Sequence, residues 1–294
     1  SHAVISCSTI KNVIIKNLSI SGQTDDILGG ITLYGSIESA KLEDCTVSDC
    51  ISRSGYQNGI GLNCSVPIII TGCEFSSNCG DNPSVQLKGG AICLSCSAPA
   101  ISRIENCTIS NNTASNAGAI LISGTSEKLI SGCIFADNYA NWFSESARSS
   151  VILCEDASNV EICNNLIYSS EDANLSFPDM GIQYGIFAKD SGSQNHIIYI
   201  HHNTIYKNDR GIYISRSSGN LYGYSTLTNN IISNFSDGIV VNNIPNSRIQ
   251  MSYNDVYHYS SNPQSNNIVG YNVSPLANPG MIYIRYLSMS TNTS

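Results

Sequence analysis

Nine times along the chain the same small pattern returns: an apolar residue, two spacers, a small or amide residue, one spacer, another apolar residue. The central position is Leu18, Cys45, Cys73, Cys107, Cys133, Asn165, Asn203, Asn230 and Asn254 in turn. Three residues before it stand Ile15, Leu42, Ile70, Ile104, Ile130, Ile162, Ile200, Leu227 and Met251, and two residues after it Ile20, Val47, Phe75, Ile109, Phe135, Ile167, Ile205, Ile232 and Val256. Successive copies lie 27, 28, 34, 26, 32, 38, 27 and 24 residues apart. A loose period with invariant apolar positions is the mark of a coiled solenoid whose core is set and whose corners accept insertions.

A second apolar doublet follows each of the first eight copies: Ile31/Leu33, Ile60/Leu62, Ile92/Leu94, Ile120/Ile122, Val151/Leu153, Ile186/Ala188, Ile212/Ile214 and Ile239/Val241. Spacing of two puts both side chains on one face of a strand, and no 3.6-residue stripe persists long enough for a helix. Each coil therefore holds about three short strands, paired in parallel with the coils above and below at about 4.8 Å. The predicted fold is all-β: a single-stranded right-handed parallel β-helix of about nine coils, the hand following the general rule for parallel crossovers. Because the repeat runs throughout, residues 1–294 read as one domain. Val4 to Cys7 already has strand character and the last coil ends in Ser-Thr-Asn-Thr-Ser, so the expectation is a segment of a longer surface protein with further coils or caps.

The central column is expected at a bend. Asn tolerates a left-handed backbone, and its amide can bond to the same amide one coil away, while Cys is small enough to pack there. Cys45, Cys73, Cys107, Cys133, Asn165, Asn203, Asn230 and Asn254 thus form a structural ladder. With parallel Cβ vectors the four cysteines stack as thiols; Cys64 with Cys96, and Cys50 with Cys79, are the candidate bridges at corners. Cys93-Leu-Ser-Cys96 has metal-ligand spacing but no second pair to complete a zinc site.

Charge is scarce and the formal net charge is −8, which disfavours nucleic acid as partner. No apolar run reaches the length of a membrane span. Twelve cysteines in a Ser-, Asn- and Tyr-rich chain of low charge suit an extracellular or cell-surface location.

Phe75-Ser-Ser-Asn78, Gly89-Gly-Ala-Ile92, Asn116-Ala-Gly-Ala-Ile120 and Phe135-Ala-Asp-Asn138 resemble the F-x-x-N and G-G-A-I repeats of polymorphic outer-membrane proteins, which are bacterial surface β-helices and adhesins. Asn164-Asn-Leu-Ile167, His202-Asn-Thr-Ile205 and Asn229-Asn-Ile-Ile232 look like repeats of secreted pectate-lyase-like β-helices, and Tyr253-Asn-Asp-Val256 is similar to a closing coil of that superfamily. The resemblance covers nearly the whole chain. It implies a secreted bacterial β-helix, on a scaffold that serves lyases, glycosidases and adhesins alike.

The longest insertions are 76–91, 136–150 and 168–185, all at one corner, where a rigid scaffold concentrates function. Tyr139, Trp142, Phe143 and Glu145 in one, with Tyr168, Asp172, Phe177 and Asp179 in the next, combine rings and carboxylates in the manner of a glycan platform. The competing reading folds Trp142 and Phe143 back against the rod. A lyase needs a base beside paired carboxylates that hold calcium. The carboxylates here are scattered, and Glu155, Asp156 and Glu161 with Lys189 and Asp190 make the best enzyme candidate. His196, His201 and His202 read as surface histidines, since adjacent strand residues face opposite ways and Cys163 with His201 supplies only two ligands. Tyr199, Tyr206, Tyr213, Tyr222 and Tyr224 read as outward or turn residues, open to glycan or partner contact.

The sequence therefore points to a non-enzymatic extracellular module, an adhesin or spacer that contacts polysaccharide or a host or matrix surface. A polysaccharide lyase or glycoside hydrolase is the alternative. No cofactor is expected, with calcium admitted only in the lyase reading, and the oligomeric state stays open.

Overall fold

The computed structural model of the chain describes residues 4–23, 30–52, 60–80, 89–97, 99–140, 149–157, 159–170, 183–190, 196–208, 210–216, 223–233, 237–242, 244, 248–257 and 266–271. Among these residues the strands form three all-parallel sheets, each running the length of the rod. Sheet I has nine strands, from Asn12–Lys16 to Ile249–Ser252. Sheet II runs from Ser19–Gln23 to Asp255–Tyr257 and carries a side extension of Cys79–Gly80, Thr113–Ala114 and Tyr139–Ala140. Sheet III has ten strands, from Ile5–Cys7 to Asn266–Tyr271. Every strand pairs with its own counterpart one winding away, as in the series Leu42, Ile70, Ile104, Ile130, Ile162, Ile200 and Leu227 of sheet I.

Left-handed residues five positions apart set the corners flanking sheet II, whose main strands from Glu74–Ser76 to Asp255–Tyr257 are three residues long. Asp44, Asn106, Asn164, His202, Asn229 and Tyr253 form the first corner, with φ between 53° and 57°. Asp49, Ser77, Asn111, Asp137 and Lys207 form the second, with φ between 52° and 55°. A left-handed residue breaks the in–out alternation: its own side chain stays outside and the next one turns into the core. This corrects the sequence expectation, because the bend lies one residue before the Cys/Asn column and not on it. Asn, Asp and Gly fill most of these positions because they tolerate the conformation.

The inward residue after the first corner forms a continuous column. Cys45 N–H points at Cys73 Sγ (3.4 Å), and Cys133 N–H donates to Asn165 Oδ1 (2.9 Å). From there Nδ2-to-Oδ1 bonds link Asn165 to Asn203 (3.0 Å), Asn203 to Asn230 (3.1 Å) and Asn230 to Asn254 (2.9 Å). The second corner carries another ladder that the sequence reading missed. Cys50 N–H donates to Asn78 Oδ1 (3.2 Å), and Nδ2 groups then link Asn78 to Asn112 and Asn112 to Asn138, both at 2.8 Å. Where the first column is Cys73, Cys107 and Cys133 the second is Asn78, Asn112 and Asn138, so each of the windings from Cys73 to Asn254 has an inward amide to satisfy backbone groups at its bends.

None of the twelve cysteines is joined in a disulfide, which overturns both proposed bridges. Cys79 is the register partner of Ile51, so it is half-exposed while Cys50 is buried against Asn78. Cys64 is the partner of Leu94, two residues short of Cys96. Contact with the Cys107 sulfur, and then burial, raises the Cys73 thiol; contact with Cys133, and then burial, pushes Cys107 up to about 12.

The shaft is one apolar cluster from Val13 to Val256, with Phe75 and Phe135 fully enclosed. Each such side chain contributes about 1.5–3 kcal/mol of burial. Where sheets II and III meet, glycine is required by close approach: a Cβ on Gly30 would stand 2.7 Å from Gly61 O, and one on Gly61 would stand 2.8 Å from Ala91 O. One doublet shifts by a residue, since Ile120 pairs with Ile152 and Ile122 with Cys154; Val151 falls at the register irregularity and stays in the shaft cluster, while Leu153 leaves the expected frame.

Leu153 instead joins a second apolar cluster on the outer face of sheet III. Its register column is Cys93, Leu121, Leu153, Phe187, Tyr213 and Val240, all buried. Phe187 and Tyr213 meet edge-to-face at 5.0 Å. Tyr213 is therefore not the outward contact residue its parity suggested.

Lys128 occupies an inward position between Ser102 and Val160. Its ammonium donates to the carbonyls of Ser126 (2.7 Å), Gly124 (2.8 Å) and Cys96 (3.3 Å). Burial pushes its pKa down to about 8, while the three carbonyl oxygens favour the charged form and oppose that push.

Candidate functional site

Of the residues proposed as a glycan platform, Tyr139 and Tyr168 lie in the described structure; Trp142, Phe143, Glu145, Asp172, Phe177 and Asp179 lie outside the described residues. Tyr139 is half-buried, its hydroxyl 3.0 Å from Ser169 Oγ and 3.4 Å from Asp137 Oδ1. Tyr168 is stacked in register between Ala136 and Tyr206 on the outer face of sheet II. Tyr206 is exposed, with Lys207 Nζ 5.7 Å from its ring centre.

A concavity of the described surface lies on a different face, the outside of sheet I. It is a groove of about 420 Å³ across the windings from Ile101 to Tyr199. Its floor is the outward register column Arg103, Leu129, Glu161 and Tyr199, one residue from each of four adjacent strands. Ile101, Ile197 and Leu129 supply apolar wall, and Glu127, Asn159 and Glu161 supply hydrogen-bonding edge. Tyr199 is 43% exposed and presents an open ring, while Arg103 is steadied by Glu105 at 3.5 Å. The volume falls in the range of ordinary small-molecule sites, and a mixed apolar and polar lining is their usual composition. Only Tyr199 and Glu161 of this set were singled out in the sequence. The missing signal was positional: outward parity in neighbouring sheet I strands, which needs the register to be known.

At one end of the groove Glu161 meets a histidine. His201 Nε2 lies 2.9 Å from Glu161 Oε1, and His201 Nδ1 lies 2.9 Å from His202 Nδ1. The expectation that the two histidines face apart fails because His202 is the left-handed corner residue, with φ 56°. Its ring is thereby turned against that of His201, their centres 5.2 Å apart. Cys163 is the register partner of His201 and lies outside the apolar shaft cluster. Burial, and then the charge and hydrogen bond of Glu161, push its thiol up to about 11. His196 is not on the surface: it is buried, with Nδ1 2.8 Å from Ala157 O.

The enzyme candidate does not assemble. Glu155 and Lys189 are register partners on sheet III, with an ion-pair distance of 3.8 Å, whereas Glu161 is on sheet I facing His201. Cys93 and Cys96 also part company, Cys93 in the outer cluster and Cys96 in the shaft, so they cannot ligate one metal ion. Among the described residues no helix is long and apolar enough to cross a membrane.

A family profile described as a right handed beta helix region matches residues 29–222. Its hand gives the sense in which the three sheets wind. No curated protein and no solved structure matches the chain.

Proposed function

The chain belongs to the right-handed β-helix family, and from that premise we propose that it is a non-catalytic extracellular module of a bacterial surface protein, an adhesin or spacer that holds polysaccharide in the sheet I groove. The observation that carries this reading is the exposed ring of Tyr199 set among Ile101, Leu129 and Ile197, with carboxylate, amide and guanidinium groups around it. The C–H face of a pyranose can rest on such a ring while its hydroxyls bond to Glu127, Asn159 and Arg103. Two carboxylates line the groove and its one surface cation is engaged by Glu105, so a neutral, hydroxyl-rich polymer fits better than a polyuronate. The parallel sheet beneath holds the four floor residues at fixed spacing, which lowers the ordering cost of binding.

Affinity electrophoresis through gels of a neutral glucan and of polygalacturonate tests the proposal. Retardation by the neutral polymer that falls about tenfold in affinity in Tyr199→Ala, or about 1.4 kcal/mol, supports it. Equal retardation of wild type and Tyr199→Ala, or cleavage of either polymer, overturns it. Loss of retardation in Tyr168→Ala alone would move the contact surface to the corner bearing Tyr139 and Tyr168.

A further inference from the structure

Two strands of sheet I bring three different metal-seeking side chains to one point. Cys163 and His201 are register partners on Val160–Cys163 and Ile197–His201, and Glu161 precedes Cys163 by two residues on the same face. One donor atom each from Glu161, Cys163 and His201 lies within 4.8 Å of the other two. Ligand atoms around a tetrahedral zinc ion at ~2.0–2.3 Å are about 3.3–3.8 Å apart, so small side-chain rotations close the set. The backbone needs no change, because parallel pairing already sets the strand spacing.

His202 supplies a separate observation. A histidine bound to metal through one ring nitrogen is ordinarily held by a partner at the other. His201 already has that partner, His202 Nδ1 at 2.9 Å from its Nδ1, placed there by the left-handed backbone of residue 202. We infer that Glu161 Oε, Cys163 Sγ and His201 Nε2 bind a divalent ion of the zinc class, with His202 orienting His201 and a solvent molecule completing the tetrahedron.

One thiolate, one imidazole and one carboxylate suit a borderline ion better than calcium or magnesium, which prefer oxygen alone. In the free protein the Cys163 sulfur carries a proton, and a neutral imidazole carries one ring proton on either nitrogen. On binding, three bonds form to the ion. The thiol proton goes to solvent; in the bound state the ring proton of His201 is on Nδ1, donated to His202 Nδ1, and the ring proton of His202 is on its Nε2, so any exchange of tautomers conserves the ring protons. No electrons are transferred, and uptake releases about one proton per ion. A coordinated thiol ionises in the field of the ion even when its free pKa is high. This site stands whether or not the groove takes a sugar.

The test uses chelator-treated chain titrated with Co²⁺ and then Zn²⁺, followed by absorbance and calorimetry. The expected result is one ion per chain, a sulfur-to-cobalt charge-transfer band, and displacement of cobalt by zinc. Cys163→Ser should lose the band, His201→Ala should weaken zinc binding at least about 30-fold, and His202→Ala should weaken it about tenfold, in the range of second-shell effects. A band that persists in Cys163→Ser, or zinc affinity unchanged in His201→Ala, overturns the site. Circular dichroism melts check that each variant is folded, and His201, which faces outward, carries the test if Cys163→Ser does not fold.

Discussion

Asn203 sits in the middle of the amide column, 1% exposed, and its replacement measures what the column contributes. Its Oδ1 accepts from the backbone N–H (3.1 Å) and the Nδ2 (3.0 Å) of Asn165. Its Nδ2 donates to Ile162 O (2.8 Å), His201 O (3.1 Å) and Asn230 Oδ1 (3.1 Å). Asn203→Ala withdraws the acceptor from the Asn165 N–H and the donor from Ile162 O in a site closed to water. At about 1–3 kcal/mol for each of the two stranded groups, the predicted loss is about 2–6 kcal/mol. Asn203→Cys should cost about 1–2 kcal/mol, because a sulfur accepts the preceding N–H in this same column at Cys45 and Cys73. Urea unfolding gives the global value, and amide exchange at Asn165 gives the local one, since a repeat rod can open in parts. A loss below about 1 kcal/mol for Ala, or equal losses for Ala and Cys, would refute the reasoning.

Three further outcomes are expected. Lys128 is held down to about 8 in the folded chain against an ordinary value near 10.5, so between those values only the unfolded chain keeps its proton and folding gains as pH rises. Wild type minus Lys128→Met stability, measured by denaturant titration at pH 7.5 and 10, should therefore increase with pH, by at most about 3 kcal/mol. Glu43, bonded to Lys16 (2.6 Å) and Lys41 (2.9 Å), is held down to about 2, so its contribution is present above the ordinary carboxylate range and disappears as pH falls through 2. Acid melts of wild type and Glu43→Gln should converge there. Non-reduced, denatured chain should take up twelve alkyl groups by mass spectrometry, two fewer for every disulfide if the free-thiol assignment is mistaken.

The winding and its parallel stacking were legible because apolar residues recur on both sides of the Leu18-to-Asn254 column whatever the insertion length. The second ladder was not, although Asn78, Asn112 and Asn138 each close an F/I-x-x-N run. Reading it as a column requires knowing that a left-handed residue at Ser77, Asn111 or Asp137 turns the next side chain inward. The same one-residue offset separates Cys79 from Cys50 and Leu153 from the shaft. Lys128 was hidden for another reason: its charge marks it as a surface residue, and only three nearby carbonyls make burial tolerable. The groove and the Glu161–His201 contact depend on lateral register between strands about 40 residues apart, which patterning along the chain does not specify.

Stacking in register is the claim on which the ladders, the groove and the metal cluster all depend, and distances between spin labels test it directly. Thr46, Glu74, Thr108, Ile134, Leu166, Thr204 and Ile231 form one outward column of sheet II, each paired with the next. Labels carried on genetically encoded unnatural side chains leave the native thiols untouched. At about 4.8 Å per winding, Thr46 to Ile231 should measure about 29 Å and Thr108 to Ile231 about 19 Å. A difference of about 10 Å between the pairs is the predicted result; equal distances, or a longer separation for the nearer pair, would contradict it.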